Sequence, residues 1–154
     1  SISATTRPKR PNETDGVDYY FLTHDQFGQW IAQGELIEHA EVFGNRYGTP
    51  RKGLEAIRAE GKHPLLDIDV QGVRALRQLG YPGVYVFLTV PDRRELQRRL
   101  SQRGTDPEEI ERRVARYDAE MAQRKELYDF EVENRDLERT IAEVERILRE
   151  NLDR

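Results

Sequence analysis

The chain has no cysteine. A disulfide framework and a thiolate metal site are therefore excluded, which fits a reducing compartment and a cytoplasmic location. No apolar run reaches the 18 or more residues of a membrane span, and no secretory leader is visible, so no membrane association is expected. The three histidines, His24, His39 and His63, are too far apart for metal-ligand spacing. A basic excess is missing as well. Lys and Arg number 25 against 29 Asp and Glu, giving a net charge of −4, and this argues against a nucleic-acid partner. Also absent is G-x-x-x-x-G-K-[ST], the Gly-rich loop that cradles nucleotide phosphates. The eleven glycines are scattered among turns and helix ends, and Lys9, Lys52, Lys62 and Lys125 have no Gly-rich context. The first residue is Ser1, not Met, which reads as a processed, truncated or partial sequence.

What is present is concentrated at the start. Ser3, Thr5, Thr6, Arg7, Lys9 and Arg10 fall within ten residues. Pro8 and Pro11 fix φ on either side of Arg10, so the stretch reads as a stiff extended loop. Two guanidiniums three residues apart in such a loop converge on one phosphate, whose oxygens match the planar fork. Asp15-Gly16 marks a turn, and Asp18-Tyr-Tyr-Phe21 a short strand.

Further along, Thr23-x-x-Gln26 has capping-box form and opens a helix with Phe27, Trp30 and Ile31 on one face, ended by Gly34. Residues 36–43 read as a strand, Gly44-Asn45 as a turn, and 46–49 as the returning strand. Pro50 opens a helix with Leu54 and Ile57 inward, stopped by Gly61. The near-continuous apolar runs Pro64–Val70 and Val84–Val90 read as strands buried on both faces, with a helix carrying Val73, Leu76 and Leu79 between them. That β-α-β spacing points to an α/β fold with a helix-flanked parallel sheet. Asp92 caps a helix with Leu96 and Leu100 inward, and Gly104 breaks it. Asp106-Pro107 starts a long charged helix, Phe130–Val132 is a short strand, and Asp136 caps a last helix with Leu137, Ile141, Val144 and Leu148 at 3.6 spacing. With 154 residues the chain suffices for one domain.

Taken together, Ser3-x-Thr5-Thr6-Arg7-x-x-Arg10-Pro11, Gly16-Val17-Asp18-Tyr19-x-Phe21, Gly34-Glu-Leu-Ile-Glu38, Gly44-Asn-x-Tyr47-Gly48-Thr49, Leu66-Asp67-Ile-Asp69-Val-Gln71-Gly72 and Arg99-x-x-x-Arg103-Gly-Thr resemble the guanylate kinases in order and spacing. The resemblance covers essentially the whole chain. It implies a P-loop kinase-like parallel core with an inserted, mostly antiparallel GMP-binding sheet and a helical lid. The corresponding segments are a phosphate loop at 1–14, a GMP-binding subdomain at 15–50, core at 51–103, a mobile lid at 104–126, and core again at 127–154.

Guanine presents two adjacent donors beside the O6 acceptor. An ionised carboxylate accepts both, and adenine would leave it unpaired. Glu38 and Glu41 both have the chemistry, and the resemblance selects Glu38. By family position Ser3 and Thr49 are the hydroxyls near O6. Arg7, Arg10, Tyr19 and Tyr47 would hold the phosphate, and Asp69 would face the nucleotide. Asp67, two residues earlier on the same face, is the candidate for Mg²⁺ through water. Arg99, Arg103 and Arg113 are the family-matched groups for charge on the transferring phosphoryl. Arg112 competes with Arg113, because the lid is one residue shorter than the family pattern. The other arginines of this region read as a solvated helix face, since 92–125 holds ten basic and eight acidic residues.

The implied function is transfer of the γ-phosphoryl of ATP, with Mg²⁺, to GMP, giving GDP and ADP. The family's strand, Gly-rich loop and helix, roughly 30 residues, would precede Ser1, so this chain alone is expected to be inactive. The alternative is a guanylate-kinase-like domain that binds GMP or a protein partner without transfer.

Overall fold

The computed structural model describes residues 1–152. Asp153 and Arg154, the end of the expected 127–154 segment, lie outside the described residues. In chain order the elements are β1 (Ser3–Thr5), β2 (Tyr19–Phe21), α1 (His24–Ala32), β3 (Leu36–Val42), β4 (Asn45–Pro50), α2 (Arg51–Ala59), α3 (Val70–Gln78), β5 (Val86–Thr89), α4 (Arg93–Gln102), α5 (Pro107–Leu127), β6 (Phe130–Glu133) and α6 (Leu137–Leu152). They form two compact units, Ser1–Tyr81 and the residues from Pro82 onward. No helix among the described residues is long and apolar enough to cross a membrane.

The first unit is built on a mixed sheet in the order β2-β1-β4-β3, with β1 parallel to β2 and the other two pairings antiparallel. Here the start of the chain differs from the loop read in the sequence. Ser3–Thr5 is an inner strand, because it finds ladder partners on both edges. Pairing continues past it. Thr6 N–H donates to the Arg46 carbonyl at 3.0 Å, and Arg46 N–H donates to Thr6 Oγ1 at 2.8 Å. The hairpin between β3 and β4 turns on Phe43 and Gly44, not Gly44-Asn45. Both have positive φ, 50° and 77°, as a two-residue hairpin turn requires.

Helix α1 covers one side of this sheet. Thr23 and Gln26 form the reciprocal capping box, typically about 1 kcal/mol. Phe27 is fully buried with Ala4 and Leu36, and Tyr20, Leu22, Trp30 and Ile31 pack around them. Burying one such aromatic contributes roughly 2–3 kcal/mol. Helix α3 packs on β3; Val73 and Leu76 are buried, but Leu79 stays exposed.

The apolar run Pro64–Val70 is not a strand. Residues 62–69 make no ladder among the described residues, and Val70 already begins α3. A run of apolar residues becomes a strand only where a neighbouring edge accepts its backbone groups.

In the second unit β5 and β6 pair in parallel, Val86 with Phe130 through Thr89 with Glu133. Buried Thr89 meets the Tyr117 hydroxyl of α5 at 2.9 Å. Asp92 and Asp106 cap α4 and α5, and the Asp136 carboxylate accepts from Arg139 N–H at 3.0 Å at the start of α6. Ile147 is buried, yet Leu137 and Ile141, expected inward, are exposed. Helical spacing defines a face without specifying what covers it.

Candidate functional site

Two clusters of the expected residues form on the first unit, both centred on a glutamate. The first lies where β1 runs out. Buried Thr5 anchors the exit, its hydroxyl donating to the Arg46 carbonyl at 3.0 Å and accepting Arg7 N–H at 3.1 Å. Arg7 Nη1 and Nη2 then donate to the two oxygens of Glu13 at 3.0 and 2.7 Å, and Arg10 N–H adds a third bond at 2.8 Å. The Arg7 guanidinium lies 5.4 Å from the Tyr19 ring centre and 5.6 Å from that of Phe21. Tyr19 and Tyr47 meet edge to face at 6.3 Å. Their positions follow from the register: Tyr19 lies opposite Ser3, and Tyr47 opposite Thr5. The Arg10 side chain itself is largely exposed.

The electrostatics of this cluster are those of a stabilised charge. The Arg7 bond, then the Arg10 backbone bond, hold the Glu13 carboxyl down at about 2. The same bond to Glu13 raises Arg7. The Tyr19 phenol is pushed up, first by burial and then by the negative charge of Asp67.

The second cluster surrounds Glu38, whose side chain is placed by a bulge. The β3–β4 register shifts between Leu36 and Glu38. The two residues, only two apart, therefore enter different surroundings, as bulges beside functional sites do. Leu36 joins the α1 core, whereas Glu38 lies opposite Thr49 and against α3. Glu38 is buried to 6% exposure. It accepts the Thr49 hydroxyl at 2.5 Å. Burial pushes its carboxyl up, the Thr49 bond opposes this, and nearby Asp69 pushes it up further. Glu41, the other acid with suitable chemistry, is exposed, and its carbonyl accepts Gln71 Nε2 at 2.9 Å.

Asp69 is the N-cap of α3. One of its oxygens accepts Gly72 N–H at 3.0 Å and the other accepts Gln71 Nε2 at 3.2 Å. Asp67 is exposed. One exposed carboxylate, with water and phosphate oxygens, is a donor set that suits Mg²⁺. No group of three or more metal-ligating side chains occurs among the described residues.

On one face of β4, Thr49 and Tyr47 lie two positions apart, roughly 7 Å along the strand.

Arg99, Arg103 and Arg113 belong to the second unit. Arg99 donates to Glu95 at 2.7 Å and to the Asn134 carbonyl at 2.7 Å. Arg98 chelates the same Glu95, and the two arginines, Arg98 first, hold that carboxyl at about 2. Arg99 also lines a shallow cleft of about 390 Å³ with Arg94, Arg98 and Arg135. Arg103 is exposed at the end of α4. Arg113 and Arg112 both pair with Glu109, at 2.8 and 2.9 Å, and Arg113 is the less exposed of the two.

Glu13 escaped the sequence reading, and Gln71 and Gly72 stood in a quoted motif without a role of their own. The signal for Glu13 was its place three residues after Arg10, where two converging cations call for a counter-ion.

The guanylate kinase family model matches residues 1–151. The guanylate kinase of Alkalilimnicola ehrlichii is 47% identical over 152 residues, 98% of this chain and 74% of that protein. Those of Symbiobacterium thermophilum and Thermosynechococcus vestitus are 45% and 46% identical, matching 96% and 94% of this chain and 70% and 76% of their own lengths. The crystal structure of guanylate kinase from Anaplasma phagocytophilum superposes with a TM-score of 0.82 at 37% identity, over 97% of this chain and 73% of that one.

Proposed function

Because the chain belongs to the guanylate kinase family, we propose that its first unit is an acceptor site for GMP in ATP-dependent phosphoryl transfer. Glu38 reads the base, the cluster around Arg7 takes the phosphate, and the product would be GDP. The observation that carries this reading is buried Glu38, held by Thr49, on the same sheet as Tyr19 and Tyr47 and as the strand that leads into Arg7. The ionised carboxylate accepts N1–H and the 2-amino group of guanine, with Ser3 as a hydroxyl for O6; Thr49 serves O6 only by turning its single proton away from Glu38. AMP would bury that carboxylate without partners, which is the strong form of discrimination.

At the other end Arg7, Arg10, Tyr19 and Tyr47 bind the dianion. The phosphate is already a nucleophile, so positioning and charge neutralisation suffice and no general base is needed. Phosphate would compete with Glu13 for the Arg7 fork. Mg²⁺ carried with ATP supplies charge neutralisation on the transferring group, and Asp67 would hold it through water. Arg99, Arg103 and Arg113 are proposed to stabilise negative charge as the phosphoryl moves.

The second reading is a domain that binds GMP or a protein partner without transfer. Calorimetric titration of the chain with GMP, AMP, CMP and UMP tests the acceptor site. GMP is expected to bind at least tenfold more tightly than the others, and equal affinities would overturn the reading. The chain alone is expected to transfer negligible phosphoryl from ATP to GMP; turnover at an ordinary kinase rate would contradict that part.

A further inference from the structure

Gly72 sits at the third position of α3, where nothing in the backbone asks for glycine. Asp69 caps the helix and Val70 and Gln71 open it, and Gly72 is not among the glycines with positive φ. Helical backbone of this kind ordinarily favours alanine over glycine. The constraint is spatial. A Cβ at position 72 would lie 2.6 Å from Glu38 Oε2 and 3.2 Å from Glu38 Cδ, with Ile68 Cβ at 3.4 Å behind it. The first distance is far inside any real carbon–oxygen contact.

The carboxylate has little freedom to yield. Its other oxygen holds the Thr49 hydroxyl at 2.5 Å, the residue is 6% exposed, and its backbone is paired with Thr49 in the β3–β4 ladder. The helix has little freedom either. Gly72 N–H is bound to Asp69 Oδ1, and Gln71 ties the same turn to the Glu41 carbonyl of β3.

We propose that Gly72 is a positioning residue that sets guanine selectivity: its missing side chain is the space in which the Glu38 carboxylate lies. The proposal rests on the reading of Glu38 as the guanine acceptor. Any side chain at 72 pushes the carboxylate off its place by a good fraction of an ångström. A misplacement of about 1 Å costs about 10²-fold in rate at a reacting group, and a smaller displacement of a reading group is expected to cost at least tenfold in affinity. The effect would fall on the guanine edge, because the atoms nearest a side chain at 72 belong to Glu38 and Ile68 and not to the Arg7 cluster.

The test is a cycle of four proteins, wild type, Gly72→Ala, Glu38→Ala and the double variant, each titrated with GMP and with AMP and melted thermally. Gly72→Ala is expected to weaken GMP at least tenfold and AMP less than twofold. On top of Glu38→Ala it is expected to add no further loss, since the group it displaces is gone. The double variant is expected to melt at or above Glu38→Ala, because alanine then acts as an ordinary helix former. A merely structural role would lower both ligands together and multiply with Glu38→Ala; that result overturns the proposal, as does a Gly72→Ala protein that binds GMP like wild type. Should Gly72→Ala fail to fold, the double variant, freed of the clash, is expected to fold, and its failure to do so also counts against the proposal. If Glu38→Ala leaves the GMP-to-AMP ratio unchanged, the base-reading assignment itself falls and the Gly72 inference falls with it. If only Gly72→Ala is silent, the assignment stands and the inference alone is lost.

Discussion

Glu13 and Glu38 belong to the same unit and make opposite use of the same side chain. Glu13 takes three donors, two of them from a guanidinium, and its carboxyl is held at about 2. Glu38 is buried with one hydroxyl donor beside a second acid, and its carboxyl is pushed up. The first carboxylate is stabilised, and under the proposed reading an incoming phosphate replaces it. The second is kept short of partners. That shortage is destabilising by itself, and it is also what makes a ligand with two adjacent donors preferable to one without them. One end supplies attraction, and the other supplies choice.

Substitutions that separate attraction from choice test this contrast. The largest expected effect is at the attracting end. Arg7→Ala should weaken GMP and AMP together, by about 10²–10³-fold, the usual loss when one side of a charged hydrogen-bonded contact is removed. Calorimetry with both nucleotides checks it, and a loss confined to GMP would erase the distinction between the ends.

Next comes the pH dependence of binding. A protonated Glu38 no longer offers two acceptors, so GMP affinity should fall more steeply than AMP affinity as pH drops through the raised Glu38 value; protonation of the phosphate itself, at about pH 6, weakens both nucleotides alike. Titrations across the acid range at fixed ionic strength read this directly.

A smaller effect is expected on stability. The Glu38 carboxyl is raised in the fold, so the native chain binds the extra proton. Its contribution is therefore fully present below the ordinary carboxylate value and is lost as pH rises through the folded one. Glu38→Gln should remove that penalty and raise the melting temperature at neutral pH by roughly 2–4 °C, while GMP selectivity is lost. An unchanged or lowered melting temperature would show that the buried carboxylate is not under strain.

The smallest expected effect belongs to Glu13. Its carboxyl is lowered from 4.5 to about 2, so its contribution is present above 4.5 and lost as pH falls toward 2. Glu13→Gln should flatten the acid limb of the stability profile there. A profile that keeps its slope would remove Glu13 from the ion-pair account.

The amino-acid pattern revealed much of this, but unevenly. Signals completed within a few residues survived intact. The Thr23 box, the Asp92, Asp106 and Asp136 caps, and the glycines at 34, 61, 80 and 104 end or begin helices as read. Features that depend on a distant partner were less legible. The 64–70 run has the composition of a buried strand, yet no ladder takes it up. Leu79, Leu137 and Ile141 have inward spacing and remain exposed. The same divide runs through the site. Glu38, Thr49 and Asp69 do come together, but Asp69 acts as the cap of α3. The bulge that separates Glu38 from Leu36 leaves no mark on a loosely alternating strand. Gly72 looked like one more cap residue because its reason lies across the sheet, in a carboxylate more than thirty residues earlier.

The most direct test of the whole account is the ratio of GMP to AMP affinity, measured by calorimetry for the wild-type chain and for Glu38→Ala. The account predicts that the ratio collapses at least tenfold in the variant, almost entirely through weaker GMP. A ratio that survives the substitution, or that changes through AMP, would contradict it.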